Sequence, residues 1–233
     1  DASCDPNAAG TFTAVFNNQF GCDSVVITAV SLLPTDTTWL QTFTCLPADT
    51  GSVTTVLSNQ WGCDSIVVAA VGLWPLPEVT ASATTHYNGY HLPCAGDDTG
   101  LAEAGITGGT PPFAVTWSDG QSGPQAMGLS AGTYQVTIAD SNGCRDSATV
   151  SLTEPPPLEL SFIINPPDCF DQAEGYLEVL PEGGVAPYLF SVNGGPYTGQ
   201  SAYPNLPAGT YQVAVLDANN CPAAEIAWLN APL

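Results

Sequence analysis

Leu129-Ser130-Ala131-Gly132-Thr133-Tyr134-Gln135-Val136-Thr137-Ile138-Ala139-Asp140-Ser141-Asn142-Gly143-Cys144, followed by Arg145-Asp146-Ser147-Ala148-Thr149-Val150-Ser151-Leu152, is two alternating runs separated by an Asp/Asn/Gly turn. Alternation at period 2 predicts strands, and the turn residues between them predict a hairpin. The pattern returns further along, at Leu206-Pro207-Ala208-Gly209-Thr210-Tyr211-Gln212-Val213 and Asp217-Ala218-Asn219-Asn220-Cys221. Upstream, Gly108-Gly109-Thr110-Pro111-Pro112-Phe113 returns at nearly the same offset as Gly183-Gly184-Val185-Ala186-Pro187-Tyr188. The chain is therefore an array of repeated units.

A shorter repeat occupies the first third. Gly21-Cys22-Asp23-Ser24 recurs as Gly62-Cys63-Asp64-Ser65, and Cys4 recurs as Cys45 at an identical offset. Thr11 to Phe16, an Asn-rich turn, Cys22 and the run to Leu33 parallel the hairpin of the long units, so the short units keep that hairpin and drop the middle strands. About 40 residues rarely enclose a core without disulfides, metals or neighbours. Val25 to Val30 and Ile66 to Val71 are apolar on both faces, which suits strands covered from both sides. A single larger sandwich built by both short units is the alternative.

Four segments follow: short β repeats at 1–36 and 37–76, and immunoglobulin-type modules at 77–157 and 158–233. The fold class is all-β, a tandem array of small immunoglobulin-like β-sandwich modules, disulfide-stapled. Val115 and Trp117, Tyr134/Val136/Ile138 and Ala148/Val150/Leu152 are expected to line the core of the first long module. In the second, Leu177/Val179, Phe190/Val192, Tyr211/Val213/Val215 and Ile226/Trp228 take that place. Proline-rich joints (Leu33-Pro34, Trp74-Pro75-Leu76-Pro77, Pro155-Pro156-Pro157) separate the units. The array reads as a mature or excised segment of a longer repeating chain.

The 22 acidic residues stand against one basic residue, Arg145, for a formal charge of −21, although 10% of residues are charged. Nucleic acid is excluded as a partner, because phosphate neutralisation needs clustered Lys and Arg. Anionic lipid is excluded likewise, and no apolar stretch reaches the ~20 residues that insert directly in a membrane. Without lysine there is neither an isopeptide bond nor a Schiff base. With 44% apolar residues the chain is too hydrophobic for disorder.

Eight cysteines at regular spacing, with no CxxC pair, predict disulfides and an extracellular or cell-surface location. Each unit has one opening and one closing cysteine. If the first strand of a unit runs parallel beside its last, the two meet, giving Cys4-Cys22, Cys45-Cys63, Cys94-Cys144 and Cys169-Cys221. The rival is a shifted scheme of Cys22-Cys45, Cys63-Cys94 and Cys144-Cys169, with both end cysteines, Cys4 and Cys221, bonded to neighbours.

Other constellations carry less. His86, His91 and Cys94 are close enough for zinc, but the repeat already gives Cys94 a partner. Asp97, Asp98, Asp168 and Asp171 are weak calcium candidates without a calcium-loop motif, and Asp in β-turns is the ordinary alternative. No cofactor is called. Nothing resembles a nucleophile elbow or a paired-carboxylate site, so no enzyme is expected. Trp39, Trp61 and Trp74 lie at turns or linkers and are read as packing between modules before ligand contact.

The long units resemble the SprB-type repeats of secreted surface adhesins of Bacteroidota. The carrying residues are Gly-Gly-x-x-Pro-Phe/Tyr, Leu-x-Ala-Gly-Thr-Tyr-x-Val and Asp-x-Asn-Gly/Asn-Cys, each present twice and in order across residues 94–230. The short units look like the Gly-Cys-Asp-Ser modules of the same large proteins. The resemblance implies type IX secretion, surface display, and roles in adhesion, gliding or matrix. It also implies O-glycosylation at Asp-Ser/Thr sites, here Ser24, Thr37, Ser65 and Ser147; the plain alternative is a strand starting after a turn. The expected function is a non-enzymatic fibre or adhesin segment, with a carbohydrate-binding stalk of a secreted hydrolase as the alternative. Expected partners are copies of itself or neighbouring modules of a longer chain, and surface glycans. The short units are expected to make the contacts, because the first lacks the strand that precedes Cys45 in its sister and leaves Val25 to Val30 an open edge.

Overall fold

The computed structural model describes residues 2–3, 10–17, 23–32, 37–58, 64–168 and 173–230. By compactness the chain divides into residues 1–76 with 142–144, and residues 77–141 with 145–233.

In the first unit, β1 (Ala2–Ser3), β2 (Gly10–Asn17) and β3 (Asp23–Leu32) form one sheet, ordered β1-β3-β2. β4 (Thr37–Thr44), β5 (Gly51–Ser58) and β6 (Asp64–Leu73) form another, ordered β4-β6-β5. β4 runs parallel to β6 from Thr37 opposite Ile66 to Thr44 opposite Leu73, while β5 is antiparallel. In the first short repeat the parallel pairs Ala2 with Ser31 and Ser3 with Leu32 are the counterparts of Phe43 with Gly72 and Thr44 with Leu73. The parallel opening strand expected for the modules is thus found in the short repeats.

Among the described residues no second sheet covers β4 and β5. Trp39, Leu40, Val53, Val56 and Leu57 stay exposed, and none of the described residues of β4 or β5 is buried. Adjacent residues of a strand point to opposite faces. Trp39 with Leu40, and Val56 with Leu57, therefore leave both faces apolar and uncovered.

The second unit holds two sandwiches. In the first, β7 (Pro77–Ala83), β8 (Gly100–Gly108) and β10 (Gln125–Leu129) face β9 (Ala114–Trp117), β11 (Gly132–Ala139) and β12 (Arg145–Leu152). Leu92, Ala102, Trp117, Leu129, Val136, Ile138 and Leu152 fill the space between. In the second, β13 (Glu159–Asn165), β14 (Gly175–Glu182) and β16 (Ala202–Leu206) face β15 (Leu189–Val192), β17 (Gly209–Leu216) and β18 (Pro222–Leu229). Leu177, Val179, Phe190, Tyr211, Val213, Val215, Ala227 and Leu229 are its core. A tyrosine near the start of the penultimate strand anchors each sandwich by donating to a carbonyl one turn back: Tyr134 to Ser130 at 3.1 Å and Tyr211 to Pro207 at 2.7 Å.

One register expectation is corrected. Ile226 and Trp228 do not face the core; Trp228 is 57% exposed, and Ala227 and Leu229 are buried. Trp228 pairs with Thr210, and Ala227 with the core residue Tyr211.

The disulfides overturn both pairing schemes. Cys45 is bonded to Cys144 and Cys94 to Cys221, with Cα separations of 5.2 and 5.6 Å. Cys45-Cys63, Cys94-Cys144 and Cys169-Cys221 are therefore wrong, as are Cys22-Cys45, Cys63-Cys94 and Cys144-Cys169. Cys4-Cys22 lies outside the described residues.

The physical reason lies in the last strand of each module. β7 pairs antiparallel with β8, not parallel with β12, and Cys94 sits in the connection between β7 and β8. There the amides of His91 and Leu92 donate to the Thr153 carbonyl, and the Gly96 amide donates to Glu154 Oε2. Cys94 is thus held beyond the end of β12, while Cys144 precedes its start. The length of β12 between them is roughly 26 Å. Cys45 is placed the same way, after Thr44 opposite Leu73 at the end of β6, whereas residue 63 precedes the start of β6.

Candidate functional site at the disulfide-locked joint

The sequence marks the entry of each long module with two glycines and an Asp turn. Gly183 and Gly184 have φ of 74° and 57°, and a Cβ on Gly183 would lie 1.9 Å from the Pro157 carbonyl oxygen. Only glycine admits the incoming linker there. The Gly184 amide then donates to the Pro156 carbonyl at 2.9 Å. In the first long module Gly109, at φ 64°, takes the same role, because a Cβ would meet Pro77 at 2.8 Å.

The Asp turn closes against this feature. Asp217 is buried, and its Oδ1 accepts from the amides of Asn219 and Cys221 at 2.8 and 2.9 Å. Its Oδ2 accepts from Val185 at 2.9 Å, across the module. Asn220, at φ 65°, turns the chain into Cys221. In the sister module Asp140 Oδ2 accepts from Thr110 at 3.0 Å, and Asp146 Oδ2 accepts from Val79 at 2.7 Å. A carboxylate satisfied by backbone amides fixes the turn and hence the closing cysteine.

Against that turn rests the exit of the preceding module. Cys94 is bonded to Cys221, the Asn219 side-chain amide donates to the Pro93 carbonyl at 2.8 Å, and Asn88 and Asn219 join through their side chains. Among the described residues the joint between the long modules includes one covalent bond and two amide contacts. Its chemistry is mechanical, holding one module to the next.

In the first unit, Cys45 lies beside the exit of β6: the Trp74 amide donates to the Thr44 carbonyl at 2.9 Å, and Trp74 stacks on Phe43 at 4.5 Å between centroids. Cys144, grouped with that unit, completes its disulfide.

The remaining predicted residues do not assemble. Asp97 and Asp98 lie in the β7–β8 connection, Asp168 is exposed after β13, and Asp171 is outside the described residues. Among the described residues no group of three or more His, Cys, Asp or Glu is arranged to hold a metal ion. Cys94 has its sulfur in a disulfide, and His91 Nδ1 accepts from the Thr153 amide at 3.0 Å. Ser24 falls in β3, Thr37 opens β4, Ser65 falls in β6 and Ser147 is exposed in β12. Cys4, Cys22, Cys63 and Cys169, with Trp61, lie outside the described residues. Sequence reasoning missed Asn88 and Pro93, which sit in the β7–β8 connection, longer than the β13–β14 connection of the sister module. Asn219 was within reach, inside a repeated turn. No described helix is long and apolar enough to cross a membrane.

The SprB repeat model matches residues 161–196. No curated protein sequence matches the chain. Among solved structures, the chain is similar to the N-terminal eight immunoglobulin domains of Down syndrome cell adhesion molecule, at 12% identity and TM-score 0.39 over 97% of this chain and 40% of that one. It is also similar to cadherin domains 1–4 of protocadherin gamma B7, at 11% identity and TM-score 0.28 over 98% and 66%. Murine CEACAM1b follows at 14% identity and TM-score 0.27 over 66% and 100%. The chain spans 40% of the length of the first of these.

Proposed function

We propose that this chain is a non-enzymatic segment of a secreted cell-surface fibre or adhesin, whose work is extension, self-assembly and attachment. The observation that carries this reading is the sheet of β4, β5 and β6, with apolar side chains exposed on both faces. Burying such surface contributes roughly 25 cal/mol per Å². The partner is another copy or a neighbouring module of the same kind.

Sedimentation velocity of the whole chain over a concentration series tests the reading. Association is expected to rise with concentration, with Val53 to Leu57 gaining protection from hydrogen exchange. A monomer at the highest concentration, with Val25 to Val30 already protected, overturns it. Surface export carries with it the proposal of glycan on Ser24, Thr37, Ser65 or Ser147. An intact mass of native protein equal to the bare sequence, less the disulfide hydrogens, rules that out.

A carbohydrate-binding reading is favoured by a different observation, on the outer face of the second long module. Trp228, Tyr197 and Ile226 are 57%, 44% and 43% exposed. Gln212, Glu225, Tyr197 and Ile226 line a shallow groove of about 570 Å³. Aromatic surface beside amide and carboxylate groups is what a sugar ring stacks on. Quenching of tryptophan fluorescence by oligosaccharides, lost in Trp228→Ala, is the expected result; no quenching by a broad panel removes this reading.

A further inference from the structure

The two disulfides overlap in sequence. Cys94 lies between Cys45 and Cys144, and Cys144 lies between Cys94 and Cys221, so each bond has one end inside the loop that the other closes. Overlapping loops leave several covalent routes between the same two points. From Cys45 to Cys221, three are shorter than the backbone itself. One follows the backbone to Cys94 and crosses to Cys221; it holds about 49 residues, roughly 170 Å when fully drawn out. A second crosses to Cys144, runs back along about 50 residues to Cys94 and crosses again. The third crosses to Cys144 and follows the backbone to Cys221, about 77 residues or roughly 270 Å. The backbone alone spans about 176 residues, roughly 600 Å.

We infer that this pair of disulfides is an extension-limiting tether with a second stage. Under load the chain between Cys45 and Cys221 draws out to its shortest covalent route and no further, and when either bond is lost the other still holds. The inference deepens the reading of the chain as an extended surface segment and rests on it. A folded module pulled by its ends opens by crossing its unfolding barrier, whereas a taut covalent route does not lengthen. The two routes that cross Cys94–Cys221 are so nearly equal in length that they come taut together and share the load. The third is still slack at that point, so β12 to β17, which lie on it alone, are spared.

Placement keeps the bonds in force. Cys144 and Cys221 are buried, and thiol–disulfide exchange requires access to a sulfur. Cys221 is also held by its amide on Asp217, and the Asn219 contact to Pro93 lies beside the same link.

The test is optical-tweezers extension of residues 1–233, with DNA handles on azide-bearing residues at the exposed positions Gln41 and Asn230. Both positions lie outside the loops. No route through the remaining cysteines is shorter, since every path to Cys221 that avoids Cys94 must run the backbone from Cys169 or before. The readout is the gain in drawn-out length when a phosphine reductant is added. Wild type is expected to gain 127 residues, the span of Cys94–Cys221 alone, because the shortest route uses that bond and not the other. Cys45→Ser combined with Cys144→Ser is expected to gain the same. Cys94→Ser combined with Cys221→Ser is expected to start roughly 100 Å longer than wild type and to gain 99 residues. Wild type decides where a variant misfolds. A wild-type gain near zero or near 99 residues overturns the inference, as does a Cys94→Ser/Cys221→Ser chain that reaches full backbone length before reductant is added. If wild type gains 127 residues yet stays monomeric in sedimentation, the tether stands and the self-assembly reading falls. If it associates yet gains nothing, the tether falls and that reading stands.

Discussion

The long modules and the short repeats share one closing hairpin and put it to opposite uses. β11 and β12 lay one face against a second sheet and bury Val136, Ile138, Val150 and Leu152. β5 and β6 have the same antiparallel pairing but no second layer among the described residues, and leave Val53, Val56 and Leu57 in solvent. Strand pairing alone therefore does not make a core; a covered face does. What the second short repeat saves in length it leaves as uncovered apolar surface on its described strands.

The largest expected effect lies on that contrast. Trp117→Ala empties a site 2% exposed and removes the indole N–H bond to the Gly123 carbonyl. It should destabilise the first long module by about 3 to 5 kcal/mol in denaturant titration. Trp39→Ala, at a residue 73% exposed, should change the stability of dilute monomer by less than about 0.5 kcal/mol. Equal effects would mean that the short sheet has a core of its own.

Next is the turn that sets the joint. Asp217→Ala leaves three backbone amides without their acceptor; the two part-buried amides can turn to water while that of Cys221 stays buried, so a loss of about 3 kcal/mol, the value of one bond to a charged group, is expected. It should also slow formation of Cys94–Cys221 in oxidative refolding, measured by trapped thiols. A normal rate would show that the turn does not position Cys221.

A smaller effect separates the tyrosine anchor from the strand that carries it. Tyr211→Phe deletes one bond to the Pro207 carbonyl and should cost about 1 kcal/mol at neutral pH. Burial also holds the Tyr211 hydroxyl protonated above its ordinary value of 10.0. The folded chain then keeps a proton that the unfolded chain releases, so stability is intact below that pH and falls as pH rises past it. The variant should show a shallower alkaline decline in urea titrations run from neutral pH to beyond that value; an unchanged slope would assign the decline to other groups.

Alternation and turn chemistry made the strands, the repeat boundaries and most core positions of the long modules legible, since Val136, Ile138, Val213 and Val215 sit where period 2 places them. The joint was legible only in pieces. Gly183, Asp217 and Cys221 stood out as a repeated pattern, but the partner of Cys221 depends on which end of β12 the β7–β8 connection reaches. That is set by hydrogen bonds at Thr153 and Glu154 and leaves no local mark. The pairing error came from placing each opening cysteine at the start of its repeat's last strand, whereas Cys45 and Cys94 both lie beyond its end.

The smallest expected effect concerns β18, where bulk misled the reading and the sister module held the answer. With the two Ala-Gly-Thr-Tyr segments superposed, Val150 and Leu152 of the first core fall on Ala227 and Leu229, both 1% exposed, so parity along the strand was fixed by the repeat and not by the largest apolar side chain. Trp228 points the other way, opposite Thr210 on the outer face. Trp228→Thr removes a large side chain that encloses nothing and substitutes a residue that suits an exposed strand. Its expected cost is below about 0.5 kcal/mol. Leu229→Ala, at the next position, should cost about 2 to 5 kcal/mol because it opens a cavity. Thermal unfolding of the two variants side by side measures the difference. A large loss from Trp228→Thr in dilute monomer would place that tryptophan in a packed interface, and the outer face of the second long module would then resemble the short repeats, with apolar surface that is stable only when covered.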